Sequence, residues 1–175
     1  MTIFLIGYMA AGKTTLGRAF ARSIGYQFID LDFYIEQRYR RRIPEIFAEC
    51  GEAEFRARES AMLREVGEFC NVVVSCGGGT PCTPGNMEFM NSAGITVWLD
   101  AGIDCICRRL LEARTRRPLI EGKSAEELPA FISSHLAERT PWYSQARLRL
   151  CADRLESRQQ IDSTIAELKG LLPEL

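Results

Sequence analysis

The tightest constraint on the fold lies at the start of the chain. There an apolar run, Thr2-Ile3-Phe4-Leu5-Ile6, passes directly into Gly7-Tyr8-Met9-Ala10-Ala11-Gly12-Lys13-Thr14. The second segment fits the pattern G-x-x-x-x-G-K-[ST], in which every required position has a mechanical task. The glycines let the backbone curl until its N–H groups converge on phosphate oxygens. Lys13 supplies a point charge for β- and γ-phosphates, and the Thr14 hydroxyl suits Mg²⁺. Beyond the loop, Leu16, Phe20, Ala21 and Ile24 recur at helical spacing until Gly25 stops the run. Strand, glycine loop and helix in that order make a βα unit whose helix points its positive dipole end at a bound anion.

The rest of the chain repeats the alternation of short apolar runs with helical patterns, which predicts a parallel sheet built from βαβ units. Strands are expected at residues 2–6, 27–30, 71–75, 94–99 and 148–151. Helices are expected at 14–24, 33–42, 44–50, 52–69, 83–91, 103–111, 125–137 and 160–172, with Met87 and Met90 as core residues. The length of 175 residues suits a single domain spanning 1–175. Two regions break the rhythm. The helical excursion between the second and third strands, about 33–60, is longer than a simple crossover needs. The segment of about 112–123 holds Arg114, Arg116, Arg117 and Pro118 with weak periodicity. A phosphotransferase would carry its acceptor site in the first and its lid in the second.

Composition narrows the partners. With a net charge of −1, the chain offers no bulk field for nucleic acid or a membrane surface, so anion recognition must be local. No stretch approaches the length of a membrane span. The seven cysteines are scattered without a C-x-x-C pair, and His135 is the only histidine, so no zinc set is present. Those features, with an N-terminal run too short for a secretory signal, predict a cytoplasmic, reducing location.

Three further groups are able to carry chemistry. Asp30-Leu31-Asp32 ends the second strand, where ligands of open parallel sheets sit. Read as a strand end, alternation puts both carboxylates on one face, suited to Mg²⁺ and an acceptor hydroxyl; an aspartate here is equally suited to cap a helix. Gly77, Gly78 and Gly79 imply either a special turn or a close backbone approach to a ligand. Arg56, Arg58, Arg117 and Arg139 are candidate anion forks. Arg38, Arg40, Arg41 and Arg42 read as a solvated helix face, and His135, among polar residues, has no assigned role.

Taken together, the residues resemble the shikimate kinase family along nearly the whole chain. The matching stretches are GYMAAGKTT at 7–15, FIDLD at 28–32 with Ile35-Glu36, Ile46-Phe47, GEAEFRARE at 51–59, Gly77 to Gly79, VWLD at 97–100, Arg117-Pro118-Leu119, and ERTPWYSQA at 138–146. The resemblance implies a nucleoside-monophosphate-kinase-like P-loop α/β/α fold with a five-stranded parallel sheet. It also implies transfer of the ATP γ-phosphoryl group to the 3-hydroxyl of shikimate, in aromatic amino-acid (chorismate) biosynthesis, by a monomer using Mg²⁺.

Carried over residue by residue, Gly7, Ala10, Ala11, Gly12, Lys13, Thr14 and Thr15 would hold ATP, and Thr14 and Asp30 the metal. Asp32 would bind shikimate hydroxyls and orient or deprotonate the acceptor. Arg56 and Arg139 would grip its carboxylate, with Gly77, Gly78 and Gly79 beside its ring. Arg117 would come from the lid to ATP and neutralise charge during transfer, and Glu59 would support the arginines.

The chain departs from the family pattern in places. Ala10 and Arg40 stand where glycine is common, and residues 80–84 hold two prolines. The methyl of Ala10 is expected to be tolerated if the backbone there avoids the left-handed region. Arg109, Arg114 and Arg158 are all candidates to stack on adenine. Another small-metabolite kinase of the same fold (gluconate-type or a nucleoside monophosphate kinase) and a non-catalytic nucleotide-binding regulator are the competing readings.

Overall fold

The computed structural model describes residues 1–113 and 122–172. Its strands are β1 (Thr2–Ile6), β2 (Gln27–Asp30), β3 (Val72–Ser75), β4 (Ile95–Asp100) and β5 (Leu148–Cys151). They form one five-stranded sheet in the order β2-β3-β1-β4-β5, with every neighbouring pair parallel. The helices of the described residues are α1 (Lys13–Ile24), α2 (Leu31–Tyr39), α3 (Ile43–Gly67), α4 (Asn86–Ala93), α5 (Ile103–Glu112), α6 (Leu128–Tyr143) and α7 (Arg158–Leu171). None of them is long and apolar enough to cross a membrane.

Strands β1 and β3 are buried along their whole length, which is why TIFLI and VVVS read as continuous apolar runs rather than alternating ones. Alternation still decides which layer each side chain enters. Leu5 points to α1, where Gly17 brings the helix so close that an added methyl would stand 2.9 Å from Leu5 and 2.6 Å from the Phe28 ring. Phe4 points to the other face, meeting Phe89 of α4 edge-on at 6.5 Å beneath Gly67 of α3. Helices therefore cover both faces of the sheet, the three-layer α/β/α arrangement expected. All strands run the same way, so the loops after β1, β2, β3 and β5 gather at one edge.

Element boundaries shift where local chemistry intervenes. Helix α2 starts at Leu31 because the Asp30 carboxylate accepts the Phe33 N–H at 3.3 Å. Asp30 and Asp32 are thus not neighbours on one strand face, as expected from alternation: the first caps the helix and the second lies in its first turn. Arg40 then adopts φ 52° and closes α2 through its N–H on the Glu36 carbonyl, so the helix ends as a glycine would end it. Residues 44–50 and 52–69 join into α3, bent at Gly51, where φ 76° and ψ 176° leave helical geometry. Helix α6 continues past residue 137 to Tyr143 with Pro141 inside it. That proline removes one rung of the ladder without ending the helix. The segment with two prolines makes a short 3₁₀ turn, Thr80–Cys82, and α4 begins only at Asn86.

Gly17→Ala is expected to destabilise the protein by about 2 kcal/mol, since the methyl meets the sheet's own side chains in a filled layer. Urea denaturation of the variant checks this; an unchanged midpoint would show that α1 can retreat from the sheet.

Candidate active site

The loop after β1 wraps round Lys13. Gly7 adopts φ 139° and lies against the Leu99 carbonyl, where a Cβ would come within 2.5 Å. Gly12 adopts φ 96° as the residue before α1 and fits under Leu155, leaving no room for a side chain. The Lys13 ammonium donates to the carbonyls of Gly7 and Tyr8, each at 2.8 Å. Ala10 has φ 59°. The condition for easy tolerance of its methyl is therefore not met, and the left-handed alanine costs about 1 kcal/mol against glycine.

A cleft of about 470 Å³ opens over this loop. It brings together Ala10, Gly12, Lys13, Thr14, Thr15, Asp30, Asp32, Gly77 and Gly78 from the residues singled out in the sequence. Gly7 and Ala11 lie beneath it as buried support. Thr14 Oγ1 donates to Asp30 Oδ2 at 3.1 Å, joining the first turn of α1 to the end of β2. Two hard oxygen donors side by side suit a magnesium ion that takes its other ligands from phosphates and water. No cluster of three His, Cys, Asp or Glu side chains able to hold a metal exists among the described residues.

Of the arginines considered for adenine, Arg109 lines the cleft beside Leu155 and Glu156. It donates to the carbonyls of Ala10 at 3.3 Å and Ala152 at 2.8 Å, and pairs with Glu156 at 3.0 Å. Arg158 instead projects into solvent beside Asp162. Leu155 and Glu156 escaped the sequence reading, although their loop follows a parallel strand at the end where ligands gather. Arg114 and Arg117 lie outside the described residues, as does most of the segment expected to form the lid.

The glycine run after β3 has a specific cause. None of the three has a positive φ. Each bare α-carbon instead admits a different charged side chain: a Cβ at Gly77 would stand 2.8 Å from Asp32 Oδ1, one at Gly78 would stand 3.0 Å from Arg139 Nη1, and one at Gly79 would stand 2.7 Å from Arg56 Nη2. The close approach is made by side chains of this chain. Arg56 and Arg139 also flank a second pocket of about 350 Å³ with Gly79 and Cys82. Behind them, buried Glu59 receives Arg56 at 2.8 Å and the Thr80 hydroxyl at 2.7 Å.

Asp32 opens onto the cleft while protein crowds its base. Loss of hydration pushes its carboxyl up to about 6, with Asp30 and Glu59 adding repulsion and Lys13 opposing. The raised value means that the folded state binds the Asp32 proton more tightly than the unfolded chain does. The penalty for ionising it is absent below the ordinary 3.8, grows as pH rises, and is complete above about 6. Solvent in the open cleft screens that cost to about 1 kcal/mol.

A phosphate loop with an embedded lysine, an acidic residue in the cleft above it and two arginine forks at the adjoining glycine run define a P-loop phosphotransferase of the α/β/α type. The shikimate kinase family model matches residues 9–169. A shikimate kinase of Bacteroides thetaiotaomicron is 53% identical over 170 residues, 97% of each chain. A crystal structure of shikimate kinase from the same organism matches with a TM-score of 0.96, at 52% identity over 100% of this chain and 99% of that one. A shikimate kinase of Acinetobacter baumannii, solved in complex with shikimate, matches with a TM-score of 0.84 and 30% identity over 99% and 93%. The chain belongs to the shikimate kinase family.

In the metal-free protein, Asp32→Asn is expected to be more stable than the parent by about 1 kcal/mol at pH 7, the gap closing as pH falls to 4. Paired denaturation curves across that range test it, and a constant gap would contradict the electrostatic origin.

Proposed function

We propose that this chain transfers the γ-phosphoryl group of ATP to the 3-hydroxyl of shikimate, giving shikimate 3-phosphate and ADP in aromatic amino-acid biosynthesis. The observation that carries the reading is the meeting of Asp32, Arg56 and Arg139 around Gly77 to Gly79. A small hydroxylated carboxylic acid needs both a hydroxyl acceptor and cationic forks, and planar guanidinium groups bind a carboxylate through paired hydrogen bonds.

Lys13 leaves its two loop carbonyls for the β- and γ-phosphates, while the N–H groups at the start of α1 face the same oxygens. Arg109 and Leu155 flank the adenine. Thr14 and Asp30 would hold a magnesium ion, which would neutralise phosphate charge. Asp32 holds the 3-hydroxyl and accepts its proton as the oxygen bonds to phosphorus and the bond to ADP breaks. Arg117 draws the developing charge from the segment 112–123, which acts as the lid and limits hydrolysis. No step requires a histidine or a nucleophilic cysteine, because positioning and charge neutralisation supply the chemistry.

ADP release with shikimate, gluconate and nucleoside monophosphates as acceptors is the deciding assay. Turnover restricted to shikimate is expected; turnover of gluconate or a nucleotide would replace this reading, and none at all would favour a binding protein. Asp32→Asn should abolish transfer while ATP affinity changes by less than about fivefold, as its carboxylate faces the acceptor. Near-normal turnover of that variant would remove Asp32 from the chemistry. Arg139→Ala should raise the shikimate KM by about 100-fold with little change in the ATP KM, the loss of one charged fork. An unaltered KM would remove Arg139 from the carboxylate site.

A further inference from the structure

Tyr8 and His135 stand 127 positions apart; Tyr8 fills a variable position of the phosphate-loop pattern, and neither residue belongs to the acceptor set. The fold brings them together: Tyr8 Oη lies 2.9 Å from His135 Nδ1, and the rings meet edge to face at 5.6 Å. Tyr8 is only 1% exposed, and its own carbonyl receives both the Lys13 ammonium and the Ala11 N–H. Any tilt of that ring therefore reaches the loop that cradles phosphate.

His135 belongs to a stripe along α6 at spacing four. Phe131 packs on its ring at 5.6 Å, Arg139 holds its guanidinium 5.6 Å from the Tyr8 ring centre, and Tyr143 donates to the Gly78 carbonyl at 2.6 Å. This face of α6 thus touches the phosphate loop and the glycine run together. The helix is also weakened close by, because Pro141 has no N–H to return to the carbonyl of Ala137. Burial, then Arg139, push the His135 imidazole below its usual range against the pull of Glu138. Burial, with Cys107 adding to it and Arg139 opposing, holds the Tyr8 phenol above its own. A neutral imidazole therefore meets a protonated phenol at neutral pH.

We propose that His135 is a positioning residue for phosphoryl transfer: in its Nε2–H tautomer its Nδ1 accepts a hydrogen bond from the Tyr8 hydroxyl and fixes α6, with Arg139, at a set offset from the phosphate loop. Donor and acceptor are bound by separate segments of chain, and a misplacement of about 1 Å between reacting groups costs on the order of 100-fold in rate. The hydrogen bond sits one helical turn before Arg139, where Pro141 leaves the ladder incomplete. This role rests on the reading of Arg139 as the carboxylate fork.

A mutant cycle of Tyr8→Phe, His135→Leu and the double variant tests it, with His135→Asn as the conservative replacement. Each single variant should lower kcat/KM for shikimate about fivefold, the worth of one net hydrogen bond, with the ATP KM within about twofold. The double variant should lose no more than either single one. His135→Asn, whose amide oxygen stands near the lost nitrogen, should recover most of the activity. Because the chain holds a single histidine, nitrogen NMR of its ring reads the tautomer without assignment, and an unprotonated Nδ1 is expected.

Losses that multiply in the double variant, equal effects on both substrates, a lower melting temperature with unchanged kinetics, or an Nδ1–H tautomer would each overturn the proposal. Should His135→Leu fail to fold, Tyr8→Phe decides alone, since it removes one oxygen from a filled site. Parent turnover of shikimate and the Arg139→Ala KM are measured in the same series. Failure there defeats the functional reading, whereas success there with an additive cycle defeats only the role of His135.

Discussion

Three α-carbons without side chains allow helices from distant parts of the chain to deliver charge to one point. Asp32 comes from α2, Arg56 from α3 and Arg139 from α6, and each occupies the space that a methyl on Gly77, Gly79 or Gly78 would fill. The run follows β3 directly, so the central sheet sets its location, and the register of Asp30 with Ser75 keeps the end of β2 level with it. Glu59 then neutralises Arg56 from behind and receives Thr80, which fixes the far side of the run. A larger residue at any of the three would move a charged group, not merely a loop.

The same convergence carries an electrostatic cost. Loss of hydration, and then the nearby Asp30 and Glu59, make Asp32 hold its proton more tightly than a free aspartate, and Lys13 offsets only part of this. The protein keeps a carboxylate where it is unfavourable in the folded state. Such a group is better able to take up a proton, as the role proposed for Asp32 requires. Stability and proton affinity at Asp32 therefore trade against each other through one residue.

Much of this was legible in the sequence for identifiable reasons. The phosphate loop combines a motif with a change of period from strand to helix, and both survive folding because they are local. The strands were readable because those buried on both faces are continuous apolar runs. Asp30 and Asp32 were located but misjudged in geometry, since a capping hydrogen bond of 3.3 Å starts the helix earlier than hydrophobic periodicity indicates. The helix expected at 125–137 runs on to Tyr143, because it survives the loss of one rung at Pro141. The reason for the glycine run and the partner of His135 were not legible at all. Both depend on contacts between segments far apart in sequence, and nothing in the neighbours of His135 points to Tyr8.

The bend at Gly51 has a further meaning for how such a site diversifies. Residues 31–50 leave the sheet at the Asp30 cap and rejoin the body of α3 through a single non-helical residue, around which space is open. The donor loop belongs to a different stretch altogether, between β1 and α1. Of the charged groups that meet at the glycine run, only Asp32 lies in the first stretch, so drift there can move Asp32 while Arg56, Arg139 and the loop after β1 keep their places. Change between the Asp30 cap and the bend at Gly51 can thus reach one charge of the cluster without passing through the loop between β1 and α1.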